Sequence, residues 1–293
     1  MTDFLQQVVA GLASGGIYAS LALAIVLIYR TTRVVNFAQG EMAMFTTFVA
    51  WTLMDRGLQF WPAFALTLAI AFVGGVAIER VVIRPVEGAP ILTVVIVTIG
   101  LALLLNGLAS ALWGSEVKSF RSAFSTRAID VGGVAVSVQD VGVIAVSLAL
   151  VVVLGLFFRY TKLGLALRAA AVNPDESRLV GIRVGWMLAL GWGLAAVLGA
   201  VAGMLVAPTV FLEPNMMRAI LLYAFAAAVL GGMDSPVGAV VGGLAFGVIQ
   251  NLVETYVEAV GATLRLPVAL ALLLVVLLVR PQGLFGRAAV GRV

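Results

Sequence analysis

Apolar residues in this chain do not alternate with polar ones. They come in long runs, cut by short clusters of charge, glycine and proline. A helix needs roughly 20 apolar residues to cross the hydrocarbon layer, and on that measure the pattern predicts about eight or nine membrane segments. They fall near 8 to 29, 36 to 54, 60 to 79, 91 to 112, 140 to 158, 187 to 208, 219 to 231, 237 to 257 and 265 to 280. The expected fold is an all-α, polytopic transmembrane helix bundle, with residues 1–293 in a single transmembrane domain and a polar loop over about 159–186. The run at 219 to 231 is short for a crossing and ends in "GGMDSPVG", where two glycines and Pro236 break a helix. It reads as a half-helix entering from outside or as part of a pair of crossings, and either returns the chain to the same face.

Composition agrees with a bilayer. Hydrophobic residues make up 62% of the chain and charged ones 11%, and the mean hydropathy is +1.15. There is no cysteine and no histidine, so disulfides, thiolate metal sites and the commonest metal ligand are all missing from the donor set. We therefore expect no metal or other cofactor on this chain. The first residues, "MTDFLQQVVAG", carry Asp3 and no basic side chain before the apolar run, unlike the positive start of a cleavable signal peptide, so the first span is expected to be retained.

Net charge is +4, but the basic residues are scattered singly, which argues against nucleic acid as a partner. Their distribution is topological. With the loop at 159–186 in the cytoplasm, the inner side receives Arg30, Arg33, Arg80, Arg84, Arg159, Lys162, Arg168, Arg178, Arg183, Arg280, Arg287 and Arg292, twelve of the eighteen Lys and Arg residues. An external N-terminus and a cytoplasmic C-terminus follow from the positive-inside rule.

Within that loop, "RAAAVNPDESRLVGIRVG" is built to start and stop a short helix. Asn173 is a good N-cap, Pro174 suits the first helical position, and Asp175 and Glu176 put negative charge in the first turn. Asn173 and Glu176 have the spacing of a capping box. Gly181 suits the left-handed position that ends a helix, and Leu179, Val180 and Ile182 then offer an apolar surface. Physics alone leaves two uses open, insertion into a partner's groove or lying on lipid headgroups.

Polar side chains inside apolar runs tend to face a bundle interior or a wet cavity. The candidates for a translocation path are Asn36, Gln39 and Glu41 at the start of the second run, Asn106 in the fourth, and Gln250, Asn251 and Glu254 on one face of the eighth. Interhelical hydrogen bonding is the plainer use of such groups, above all for Asn106. Interruptions at Val35 to Gly40 and Gly231 to Gly238 resemble the broken helices that line cavities. Glu41 and Glu254 stand out as the acids well inside the runs. Two pairs, Gly238 with Gly242 and Gly243 with Gly247, have the small-xxx-small spacing of closely packed helices, within the chain or between subunits.

Four stretches carry a resemblance to a known family: "LGLALRAAAVNPDESRLVGI", "GLASGGIYASLALAIVLIYRTTRVVNFAQGEMAMF", "TIGLALLLNGLASALWG" and "AVLGGMDSPVGAVVGGLAFGVIQNLVE". The first resembles the cytoplasmic coupling loop of ABC-importer permeases, and together they are similar to the branched-chain amino acid (leucine/isoleucine/valine) permease family, closest to its shorter permease subunit. The resemblance implies a multi-pass subunit of the bacterial inner membrane, surrounded by lipid. It would pair with a homologous second permease or a second copy of itself, with two cytoplasmic ATPases that bind ATP and Mg, and with a periplasmic solute-binding protein. It also implies that Arg168, Asn173, Pro174, Asp175, Glu176, Leu179, Gly181 and Ile182 form the ATPase-coupling segment. Where the family often has His in "NFAHGE", this chain has Gln39.

The chain cannot supply a Walker A motif. Its only lysines, Lys118 and Lys162, follow Val and Thr rather than Gly, so it is expected not to be an enzyme and any ATP hydrolysis falls to a partner. A proton- or sodium-coupled secondary transporter is the main alternative, set back by the scarcity of acids in the runs and by a coupling-type loop with no use. A channel fits less well. A ribose-type sugar permease would carry a "GGIDLSVG"-like break where this chain reads "VVNFAQGEMA". Substrates implied by the resemblance range from branched-chain amino acids to urea, amides and other small acids.

Overall fold

The computed structural model describes residues 2–125, 127–131, 134–257, 264–280 and 282–286. Its helices are α1 (Thr2–Thr32), α2 (Gln39–Asp55), α3 (Phe60–Ile78), α4 (Ile91–Trp113), α5 (Val138–Tyr160), α6 (Lys162–Val172), α7 (Pro174–Leu179), α8 (Val184–Val210), α9 (Arg218–Gly231), α10 (Pro236–Tyr256) and α11 (Arg265–Val279). Each of the nine apolar runs is helical. Among the described residues six helices, namely α1, α3 with its extension, α4, α5, α8 and α10, are long and apolar enough to cross a membrane, while α9 and the apolar part of α11 are shorter. Arg287 and Arg292 lie outside the described residues.

Three features depart from the sequence reading. The fold is not purely helical, because β1 (Ala128–Val131) pairs antiparallel with β2 (Val134–Ser137), Ala128 opposite Ser137 and Val131 opposite Val134. Ile129, Val131, Val134 and Val136 are β-branched, and the segment is too short and too polar to cross a bilayer. The polar loop also holds α6, which no interrupted apolar run announces. Finally, α3 does not stop at its predicted end. It continues through a π-helical turn (Glu79–Ile83) and a 3-10 turn (Arg84–Val86), so that Glu79 sits inside an apolar helical stretch of 27 residues. Glu41 and Glu254 are therefore not the only acids within the spans.

The chain forms two compact units interleaved in sequence. One comprises Met1–Val26, Phe124–Ser147 and Ala219–Val293, the other Leu27–Ala123 and Leu148–Arg218. In the second, α8 is the central helix, and glycines let its neighbours come close. A Cβ on Gly75 of α3 would lie 2.6 Å from the Trp192 carbonyl oxygen, and one on Gly203 would lie 2.8 Å from that of Ala43 on α2. On α2, Phe48 stacks on Trp113 of α4 with ring centroids 5.1 Å apart, and the Trp113 indole N–H donates to Thr52 Oγ1 at 2.7 Å. By contrast α4 leaves Leu92, Leu103 and Leu112 exposed, an apolar face that suits lipid rather than water.

In the first unit both glycine pairs of α10 pack inside the chain. Gly243 and Gly247 meet Ala19 and Gly15 of α1, while Gly238 and Gly242 meet Gly231 and Ala227 of α9. Tyr18, Tyr223 and Phe246 join these three helices, their ring centroids 5.5 to 6.2 Å apart.

Candidate functional site

The break between α1 and α2 spans residues 33–38 and is tied by the side chains that follow it. Asn36 accepts from the Ala38 N–H through Oδ1 at 3.0 Å, and its Nδ2 donates to Gln39 Oε1 at 3.3 Å. The Gln39 amide in turn donates to the Ala195 carbonyl on α8 at 2.9 Å. Both side chains are fully buried. Gly40 belongs to the first turn of α2, so the break begins and ends a little earlier than its sequence suggests.

Glu41 lies in the first turn of α2 and is only half buried. Asn106 of α4 donates to Glu41 Oε2 at 3.4 Å, to the Pro214 carbonyl at 2.8 Å and to Asn215 Oδ1 at 3.4 Å. Asn106 is thus a hub that joins α2, α4 and the segment after α8. Asn215 is exposed and brings this polar cluster to the surface. Neither Asn215 nor the Pro214 carbonyl carries a sequence signal that would pair it with Asn106.

In the other unit, Gln250, Asn251 and Glu254 share a face of α10. Asn251 donates to the carbonyl and the side-chain Oε1 of Gln7 on α1, at 2.7 and 2.9 Å, so it fastens two helices. Gln250 is buried and its Oε1 accepts no hydrogen bond. Glu254 is half buried. The structure groups Asn36 with Gln39, Glu41 with Asn106, and the three α10 residues with one another.

Sequence reading missed one polar cluster altogether. Glu79, at the start of the π turn, is 1% exposed, as is Trp192 of α8, and Glu79 Oε2 and Trp192 Nε1 both lack a hydrogen-bond partner. Arg80 Nε is 3.7 Å from Glu79 Oε2, while its guanidinium carbon lies 4.0 Å from the centre of the Trp186 ring. The signal was "IERVVIRP", where the basic residues read as topology and the acid as the end of a run.

The polar loop forms a corner of α6 and α7 against the start of α8. Thr161 caps α6, accepting from the Gly164 N–H at 2.9 Å. Asn173 caps α7, accepting from the Glu176 N–H at 3.2 Å, with Pro174 in the first turn. Arg178 pairs with Asp175 at 3.0 Å on the surface. After Leu179 the chain turns through Gly181, whose φ of +84° is the left-handed conformation that glycine adopts freely. Leu179 is 87% exposed and Val180 76%. Ile182 behaves otherwise and packs inward on Leu167, Ala170 and Val184, because the Gly181 turn directs the chain back onto α8. The exposed apolar surface is therefore Leu179 with Val180, and Ile182 anchors it. Arg168 is exposed on α6. Among the described residues no group of three His, Cys, Asp or Glu forms a metal-binding cluster.

Comparison with known proteins agrees with this architecture. The high-affinity branched-chain amino acid transport system permease protein LivH of Escherichia coli K12 is 32% identical over 99% of this chain and 98% of its own. BraD of Pseudomonas aeruginosa, with the same description, is also 32% identical over the same shares. Among solved structures, PsaBC from Streptococcus pneumoniae in complex with Fab shares the fold, with a TM-score of 0.52 over 95% of this chain and 92% of that chain, at 14% identity. Residues 7–279 match the family described as "Branched-chain amino acid transport system / permease component", and the chain belongs to that family.

Proposed function

We propose that this chain is the membrane-spanning permease subunit of an ATP-driven ABC importer for branched-chain amino acids or related small polar solutes. It works in the bacterial inner membrane with its N-terminus outside and C-terminus inside. Its partners are a homologous permease or a second copy, two cytoplasmic ATPases that bind ATP and Mg, and a periplasmic binding protein, while the chain itself binds no cofactor. Family membership and the near full-length relatives support the transport role. The observation that carries the coupling role is α7, a capped helix of six residues whose apolar end, Leu179 and Val180, is exposed. An apolar tip on a pre-formed helix suits a groove in a partner.

Solute passage is assigned to the polar residues at membrane depth. Glu41 with Asn106 in one unit and Gln250 with Glu254 in the other are the groups assigned to a passing solute, and Gln250 Oε1 accepts no hydrogen bond within the chain. Asn36, Gln39 and Asn251 hold the walls. A secondary transporter is set aside on the family assignment rather than on the scarcity of acids, since Glu79 is also buried in a span.

Burying one leucine contributes roughly 1.5–3 kcal/mol, and loss of an N-cap costs about 1 kcal/mol. Leu179→Asp is therefore expected to leave the subunit inserted while releasing the ATPases and abolishing substrate-stimulated hydrolysis, with Asn173→Ala milder. Co-purification of the ATPases with each variant is the test, and equal recovery with equal stimulated hydrolysis would exclude coupling through α7.

A further inference from the structure

The first turn of α8 is gripped by two different parts of its unit. Val184, Met187 and Leu188 belong to one buried apolar cluster with Leu167 and Ala170 of α6, and Ile182 of the polar loop packs against it. At 3.6 residues per turn, Trp186 lies on the opposite face of α8. There the turn meets the extension of α3. The Arg80 guanidinium lies over the Trp186 ring, its carbon 4.0 Å from the ring centre, and a Cβ built on Gly185 would stand 3.6 Å from Arg84 Nη2. The same turn of α8 therefore touches the corner that carries α7 and the arginines that end α3.

Stability alone does not explain where Arg80 sits. An arginine gains most from a carboxylate met through two parallel hydrogen bonds, and Glu79 is the neighbouring residue. Yet Glu79 Oε2 is buried without a hydrogen-bond partner, and Arg80 Nε stays 3.7 Å from it. Arg80 Nη2 is likewise buried and unpartnered. The start of a helix carries partial positive charge, so the dipole of α8 also opposes a cation there. What holds the guanidinium is the face of Trp186, through a cation–π attraction that strengthens as the pair is desolvated. Trp186 is 48% exposed, so it is not a core side chain either. The arrangement gives up hydrogen bonds to fix a position. We propose that Arg80 and Trp186 are positioning residues for ATP coupling, their stack setting the place of α3 against the turn of α8 that joins the α7 corner. This rests on the coupling role proposed for α7. Beyond the stack the two helices stay in close contact, since a Cβ on Gly75 would lie 2.6 Å from the Trp192 carbonyl oxygen and one on Gly193 would lie 2.9 Å from the Phe72 ring. A shift received at the first turn of α8 is thereby shared with α3.

The test uses the assembled importer, with its ATPases and binding protein, in proteoliposomes, and reads tritiated leucine taken up per ATP hydrolysed. Trp186→Leu removes the ring face and Arg80→Gln removes the charge. Both are expected to keep the ATPases bound and to lower the yield per ATP about tenfold. Trp186→Phe keeps a ring face and is expected to retain most of the wild-type yield. The double variant falls no further than the worse single one, because each removes the same contact. Arg80→Gln decides by itself if Trp186→Leu does not assemble. An unchanged yield per ATP overturns the proposal, even where uptake falls with thermal stability. A stack that only packs helices, or only anchors the chain at lipid headgroups, lowers the amount of working importer and leaves its yield per ATP alone. Losses that multiply in the double variant overturn it too, as does a Trp186→Phe yield as low as that of Trp186→Leu. Leu179→Asp separates this proposal from the one beneath it. If that variant releases the ATPases while the stack variants keep the wild-type yield, the stack alone is refuted. If the ATPases stay bound and stimulated in Leu179→Asp, coupling through α7 is refuted and the role of the stack falls with it.

Discussion

The breaks between α1 and α2 and between α9 and α10 are closed by different chemistry. Between α1 and α2, side chains close the gap: Asn36 bonds Ala38 and Gln39, and Gln39 reaches Ala195. Between α9 and α10, Ser235 supplies an N-cap to Gly238 at 3.0 Å, but the freed carbonyls of Leu230 and Gly231 accept from the backbone N–H groups of Leu284 and Phe285 at 2.8 and 3.0 Å. Gly232, with φ of +107°, makes the turn. The first break depends on which side chains are present, and the second on which are absent. Polarity at membrane depth therefore does not by itself mark a path for solute, since at Asn36 and Gln39 it is consumed in holding the break together.

Substitutions should separate the two cases. Gly238→Val is expected to do most damage, because its new Cβ would overlap the Gly231 backbone. About 3 kcal/mol, the upper part of the range for overpacking, is expected, read as loss of monodisperse protein on mild heating in detergent. Gln39→Leu comes next at about 2 kcal/mol, since it removes the bond to Ala195 and leaves buried Asn36 Nδ2 without its Gln39 partner. Thermal unfolding compared with Gln39→Asn, whose shorter amide does not span the same distance, tests whether the bond or the volume matters. Asn36→Ala is expected to cost about 1.5 kcal/mol, because it leaves the buried Ala38 N–H without its acceptor. Ser235→Ala performs the same chemical deletion at a partly buried site where water can substitute, so about 1 kcal/mol or less is expected. Equal losses for these two variants would remove the distinction between the breaks.

Hydropathy made the helices legible. All nine runs are helical, and the bounds of α7 follow from Asn173, Pro174 and Gly181, because caps and breakers act over one turn and need no distant partner. What the sequence concealed depends on contacts far along the chain. Gln39 meets a carbonyl 156 positions away, and nothing near Asn106 announces Pro214 or Asn215. Ile182 looked as available as Leu179 because periodicity cannot foresee the direction of the chain after Gly181. Glu79 was hidden for another reason. A π turn carries no apolar interruption, so the run gives no sign that the helix continues past its acid.

The corner at α7 has a mechanical meaning. Four residues separate Leu179 from the start of α8 at Val184, and one of them, Ile182, is wedged into the core shared by α6 and α8. Such a link has almost no slack. Under the proposed coupling role, a push received at Leu179 would reach α8 without being absorbed in a flexible loop, and along α8 the neighbouring helices come close at Gly75 of α3 and at Gly203. A helix seated in that way turns as a stiff shaft. On the proposed coupling role, torque applied at the surface would pass to the helices that enclose Gln39.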